Sequence, residues 1–221
     1  MEPMKRLAFL AVVLAGWAWV GTASAQSQAA LVLETSGTIT PAVKPYTEIP
    51  GGTTLALSSG ARLVFSHYHT CRTVTVVGGT VTVTVASYGT RDGKQSETTM
   101  PCPKKVNVRG GGELGGVVYR SVSTSRALTL QPEAAFVLVG PRAAEYVTAR
   151  ITRDDAPVAE GPIHDRVFRW PKGVAPLAPD TAFELTLVPA RAGDRAVTTR
   201  FSTPAVASPV GQEPLVVITV D

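Results

Sequence analysis

The sequence predicts an all-β chain of two small β-domains, and three observations carry that prediction. Val and Thr recur throughout, punctuated by 20 Gly and 17 Pro, the profile of many short strands joined by turns. Apolar and polar residues alternate with period two in Thr53–Leu57, in Ala61–Phe65 and in Phe183-x-Leu185-x-Leu187. No helical stripe of useful length competes, apart from a short stretch at Ala143–Tyr146.

The N-terminus predicts the compartment. Lys5 and Arg6 precede the apolar run Leu7–Val20, and Ala23-Ser24-Ala25 reads as a cleavage site, so residues 1–25 are expected to be a signal peptide cut between Ala25 and Gln26. The run is shorter than the roughly 20 residues a membrane span needs, and no later run approaches that length. A periplasmic or secreted location with no stable membrane span after cleavage is therefore expected. Two cysteines in an exported chain read as a pair. Closing the loop between Cys71 and Cys102 stabilises a fold by about 3.5 kcal/mol in the chain-entropy picture.

Taken in order, Ala30–Glu34 is the first expected strand and Thr38–Val43 a segment that pairs with it. Lys44–Gly52 is a connection carrying two prolines and two glycines. Thr53–Leu57 and Ala61–Phe65 follow as strands, with Ser58–Gly60 turning between them. Arg72–Val77 and Thr80–Val85 flank Gly78-Gly79, which predicts a two-residue hairpin with Val74, Val76, Val81, Val83 and Val85 on one face and Thr73, Thr75, Thr82 and Thr84 on the other. The apolar face lies on odd positions through Phe65 and on even ones from Val74, so a break is expected between Ser66 and Thr73. Ala86–Lys105 is polar and turn-rich, and Val106–Arg109 is a short alternating segment.

The domains are placed at 26–109 and 117–221, joined by the Gly-rich linker 110–116. In the second half the expected strands are Gly116–Arg120, Leu128–Leu130, Phe136–Val139, Tyr146–Thr152, Arg166–Trp170, Ala182–Val188, Ala196–Ser202 and Leu215–Val220. Their spacing near ten residues predicts a sandwich.

Several motifs invite chemistry. His67-x-His69-x-Cys71 could aim three donors to one side of an extended segment, and imidazole and thiolate suit zinc or copper. A cysteine already in a disulfide cannot also ligate, so His67 and His69 stand as weak candidates for a metal-binding alternative, and no metal or cofactor is assigned. Gly110-x-Gly112-x-x-Gly115 matches the letters of a dinucleotide fingerprint without the helix it needs. His164-Asp165 imitates part of a triad, but no G-x-S-x-G elbow accompanies it. Asp154-Asp155 reads as a turn with Pro157, and Trp170 as a core residue of a sandwich. No catalytic set is assigned. The formal charge is only +4, with arginines scattered singly, which argues against a nucleic-acid partner.

Ile49-Pro50-Gly51-Gly52-Thr53-Thr54-Leu55-x-Leu57-x-x-Gly60-Ala61-x-Leu63-Val64-Phe65 resembles the glycine-and-strand pattern of FecR-type periplasmic domains, over about residues 30–106. Classical members of that kind sense a signal outside the inner membrane and pass it to a sigma factor. This chain departs from them, with a signal-peptide pattern where they carry a cytoplasmic segment and a membrane span. Phe168-x-Trp170-Pro171, with Leu177-x-Pro179-x-Thr181-x-Phe183-x-Leu185-x-Leu187 after it, is similar to strands of immunoglobulin-like or fibronectin-type modules, which usually mediate contacts. Neither resemblance brings catalytic residues. The resulting expectation is a non-enzymatic envelope protein that engages a protein or envelope-polymer partner.

Overall fold

The structure, a computed structural model, describes residues 26–108, 128–208 and 214–221. The expected leader over 1–25, the expected linker 110–116 with its glycine motif, and the strand expected over Gly116–Arg120 lie outside the described residues. What is described is all-β, in a seven-stranded and a nine-stranded sheet.

The first sheet contains β1 (Gln28–Ser36), β2 (Ile39–Thr40), β3 (Glu48–Pro50), β4 (Thr53–His67), β5 (Arg72–Val83), β6 (Tyr88–Arg91) and β7 (Lys94–Thr99). Its path is β3-β1-β4-β5-β6, with β2 added to β4 and β7 added to β5. Its centre differs from expectation. Gly78-Gly79 is not a hairpin turn, because β5 runs straight through it. Both glycines take positive φ, 67° and 73°. The interruption shifts the inward face from even to odd positions, so Val74, Val76, Val81 and Val83 are all fully buried. Across from it, β4 slips register between Leu57 and Arg62, around Gly60 with φ 76°. The expected turn at Ser58–Gly60 is thus a bulge inside one long strand.

The real hairpin lies at Tyr68–Cys71, where His67 pairs with Arg72 and Phe65 with Val74. The change of face expected between Ser66 and Thr73 falls on this reversal. Two facing kinks fold the long β4–β5 ribbon over, so its halves enclose one core. Leu55 and Val81 come from one half, Leu63, Phe65 and Val76 from the other, and all are buried together. β6 pairs with the distal half of β5 and β7 with the proximal half. Gly79 must be glycine for a second reason: an added Cβ would lie 2.4 Å from the Arg91 carbonyl oxygen.

The second sheet contains β8 (Lys104–Val108), β9 (Leu128–Thr129), β10 (Phe136–Val139), β11 (Tyr146–Arg153), β12 (Ala156–His164), β13 (Val167–Phe168), β14 (Ala182–Pro189), β15 (Val197–Ser202) and β16 (Val216–Val220), with a 3-10 turn at Ala143–Glu145. The order is β8-β16-β10-β13-β12-β11-β14-β15-β9. One core, including Phe136, Phe168, Ile151, Leu185 and Ile218, joins strands from both ends of that path. Each fully buried side chain of this size contributes about 1.5–3 kcal/mol.

The sequence reading missed β12, because Pro157, Gly161 and Pro162 look like breakers. Pro157 sits at a register shift beside Thr152, where a missing N–H is tolerated. Gly161 lies against Pro171 and Phe168, 3.0 and 3.3 Å from an added Cβ. The positive-φ two-residue turns are found here instead, at Asp154-Asp155 and at Asp165-Arg166. The end of the proposed first unit also differs from expectation: β8 belongs to the second sheet, parallel to β16. The sheets meet through Leu31 of β1 and Val137, Val139 and Val217 of β10 and β16, with Tyr46 and Tyr68 packed at the margin.

Candidate functional site

His67, His69 and both cysteines belong to one corner, where β4 turns into β5 and the chain later crosses from β7 to β8. Cys71 ends the turn at φ 54°. It is disulfide-bonded to Cys102, with a Cα–Cα distance of 4.5 Å. The crossing is further tied by the Met100 N–H, which donates to the Cys71 carbonyl at 3.1 Å. The Met100 sulfur accepts from the Thr73 hydroxyl at 2.9 Å and from the Ser66 hydroxyl at 3.4 Å. A thioether is a weak acceptor. Its role here is to satisfy two hydroxyls while filling apolar space.

His67 is fully buried. Its Nδ1 lies 3.3 Å from the Thr70 backbone N–H and 3.0 Å from the Thr70 hydroxyl, and its Nε2 lies 2.9 Å from the Thr84 carbonyl. A backbone N–H can only donate and a carbonyl can only accept, so Nδ1 carries the lone pair and Nε2 the proton. Neither nitrogen is left for a metal. The ring also meets Tyr88 edge-on at 5.1 Å, and Tyr88 meets Phe65 at 5.7 Å. His67 is therefore a tie: it stands at the end of β4 and fastens the chain just beyond β5, across the folded ribbon.

His69 is exposed on the turn, so the structure does not bring the pair together as ligands. Among the described residues no group of three or more His, Cys, Asp or Glu is arranged to hold a metal ion. His164 is exposed on β12 and Asp165 lies in the turn after it. Trp170 is half-buried against the second core and donates Nε1–H to the Val174 carbonyl at 3.0 Å. That is the core role expected for it.

A polar cluster missed in the sequence sits beside this corner. The Tyr68 hydroxyl donates to Glu48 Oε1 at 2.8 Å, and Lys105 Nζ reaches the same oxygen at 2.6 Å while lying 5.2 Å from the Tyr68 ring centre. Burial, then the charge of Glu48 and the hydrogen bond to it, push the Tyr68 phenol far above its ordinary value. The cluster joins the edge strand of the first sheet, β3, to that of the second, β8. Only Tyr68 lay in a stretch that drew notice. Glu48 and Lys105 are far apart in sequence and carry no motif.

Comparison with family models, with curated proteins and with solved structures finds no match.

Two clefts flank Tyr46 at the meeting of the sheets. One of about 360 Å³ is lined by Tyr46, Met100, Phe136, Val137, Arg169 and Leu215. The other, of about 500 Å³, is lined by Leu33, Lys44, Tyr46, Asp165 and Arg166. Tyr46 itself holds φ 59°, a conformation uncommon for a bulky side chain. Its carbonyl accepts from Arg166 Nη1 at 3.4 Å.

Proposed function

We propose that this chain is an exported, non-enzymatic protein of the bacterial envelope, periplasmic or secreted, which binds a protein or envelope-polymer partner. On this reading a FecR-like unit precedes an immunoglobulin-like sandwich. The observation that carries the proposal is the Cys71–Cys102 disulfide, because such bonds persist in oxidising compartments. The leader pattern of residues 1–25 agrees with it. The clefts on either side of Tyr46 supply concave, mixed apolar and charged surface suited to a partner. The metal-binding alternative is not favoured, because both ring nitrogens of His67 are already used.

The test is a mass measurement on non-reduced native protein combined with site-specific photocrosslinking in cells. The expected species starts at Gln26, lacks two hydrogens relative to its reduced form, and gives adducts from a crosslinker at Ala135, on the cleft rim, that are absent from one at Gly193. A chain retained in the cytoplasm with free thiols, or one giving no adduct from Ala135, would overturn the proposal.

A further inference from the structure

The disulfide does more than close a loop, because of what it is attached to. Every residue of β7 is exposed, and the strand contributes no side chain to a hydrophobic core. It is held by its ladder to β5, from Arg72 opposite Thr99 to Val77 opposite Lys94. Beside a side-chain interaction between Glu97 and Tyr88, two contacts help, Arg72 to Glu97 at 3.2 Å and Thr90 to Gln95 at 2.6 Å. Both are solvent-facing and therefore weak. Among the described residues β7 has no strand on its other side. At its end the chain is gripped again, by the Met100 contacts and by Cys102. The cores on either side do not depend on these contacts. β5 keeps β4 as its partner, and β8 keeps β16.

We infer that Cys71–Cys102 is a redox latch on the β7 edge strand and on the crossing Met100–Pro103. Cys102 is the exposed member of the pair and Cys71 is half-buried. A dithiol reductant attacks the Cys102 sulfur, forms a mixed disulfide and releases Cys71 as its thiol. The second thiol of the reductant then displaces Cys102, leaving two protein thiols and one oxidised dithiol. With the latch open, an exposed edge strand with no side chain in a hydrophobic core is the first element to detach. Its departure uncovers the backbone edge of Arg72–Val77 beside the buried Val74 and Val76.

Hydrogen exchange read by mass spectrometry on the full chain tests the latch. The oxidised protein is compared with protein reduced by dithiothreitol, alkylation of both cysteines verifying reduction, and with the Cys71→Ser/Cys102→Ser variant. Exchange in Lys94–Thr99, and in those amides of Arg72–Val77 that face it, is expected to speed up by on the order of tenfold or more in both reduced and variant protein. Tyr146–Arg153 and Ala182–Pro189 are expected to stay protected. Unchanged protection of Lys94–Thr99 would show that the bond latches nothing. Loss of protection throughout the chain would show that it holds the whole fold and not one strand; either result overturns the inference.

Discussion

Replacing His67 by phenylalanine keeps an aromatic ring against Tyr88 and removes only the polar half of the tie. Two backbone groups then lose their partner, the Thr84 carbonyl and the Thr70 N–H. A buried group left unsatisfied costs about 1–3 kcal/mol. Thr70 and Thr84 are themselves half-buried, so water recovers part of that, and the loss for His67→Phe is about 2–4 kcal/mol in total. That is a large share of the roughly 5–15 kcal/mol stability of a domain. His67→Gln retains an N–H able to reach the Thr84 carbonyl and is expected to recover about half. Urea unfolding under oxidising conditions is the assay, with the midpoint lowered and the slope unchanged. A His67→Phe protein within about 0.5 kcal/mol of the parent would refute the tie. So would stoichiometric zinc or copper in the parent that this variant loses.

The same assay separates the two glycines of β5. Gly78→Ala, with only the Ser58 carbonyl at 3.9 Å from the new methyl, is expected to cost about 1 kcal/mol for its positive φ. Gly79→Ala adds collision with the Arg91 carbonyl and is expected to cost about 3 kcal/mol or more; equal costs would contradict the kinked-ribbon geometry. Glu48→Gln weakens the side-chain acceptor that Tyr68 and Lys105 share, and a loss of about 1–2 kcal/mol is expected in thermal unfolding. Tyr68 stays protonated in the fold while its unfolded form ionises near pH 10. Its contribution to stability is therefore complete below that pH and declines as pH rises above it. Ultraviolet difference titration is expected to lack the Tyr68 amplitude until alkaline unfolding, with Tyr68→Phe as the reference.

The all-β class, most second-half strands and the pairing of Cys71 with Cys102 were legible because they rest on period-two alternation and cysteine count. Local signals failed where the answer lay across the ribbon. Gly78-Gly79 satisfies a hairpin rule, yet an equally good rule allows two positive-φ glycines to kink a strand. Only the bulge at Ser58–Ala61 decides between them, and its position opposite the pair is a tertiary fact. β12 was hidden by Pro157 and Pro162, whose missing N–H groups matter only once the neighbouring strands are known. His67 looked like a ligand because alternation places it beside His69 and Cys71. The turn that begins directly after it sends His67 inward and leaves His69 outside. The Glu48–Tyr68–Lys105 cluster had no sequence signal, since its members come from three separate elements.

The position of β16 sets an order of assembly. It lies between β8 and β10 and runs parallel to both, so β8, which pairs with β16 alone among the described strands, and the side of β10 turned away from β13 stay unpaired until Val216–Val220 is available. The first sheet, by contrast, draws all its pairings from residues 28–99. A chain emerging from its N-terminus can complete that sheet early and then carries Lys104–Val108 as an unclaimed strand while the rest follows. Long-range parallel pairing is slow to form, and a waiting strand is open to wrong partners. The charged Lys104-Lys105 at its start suits that interval, since lysines discourage edge-to-edge association. The first sheet can thus mature before the second, and β16 joins the sheets' shared margin to the core of the second sheet.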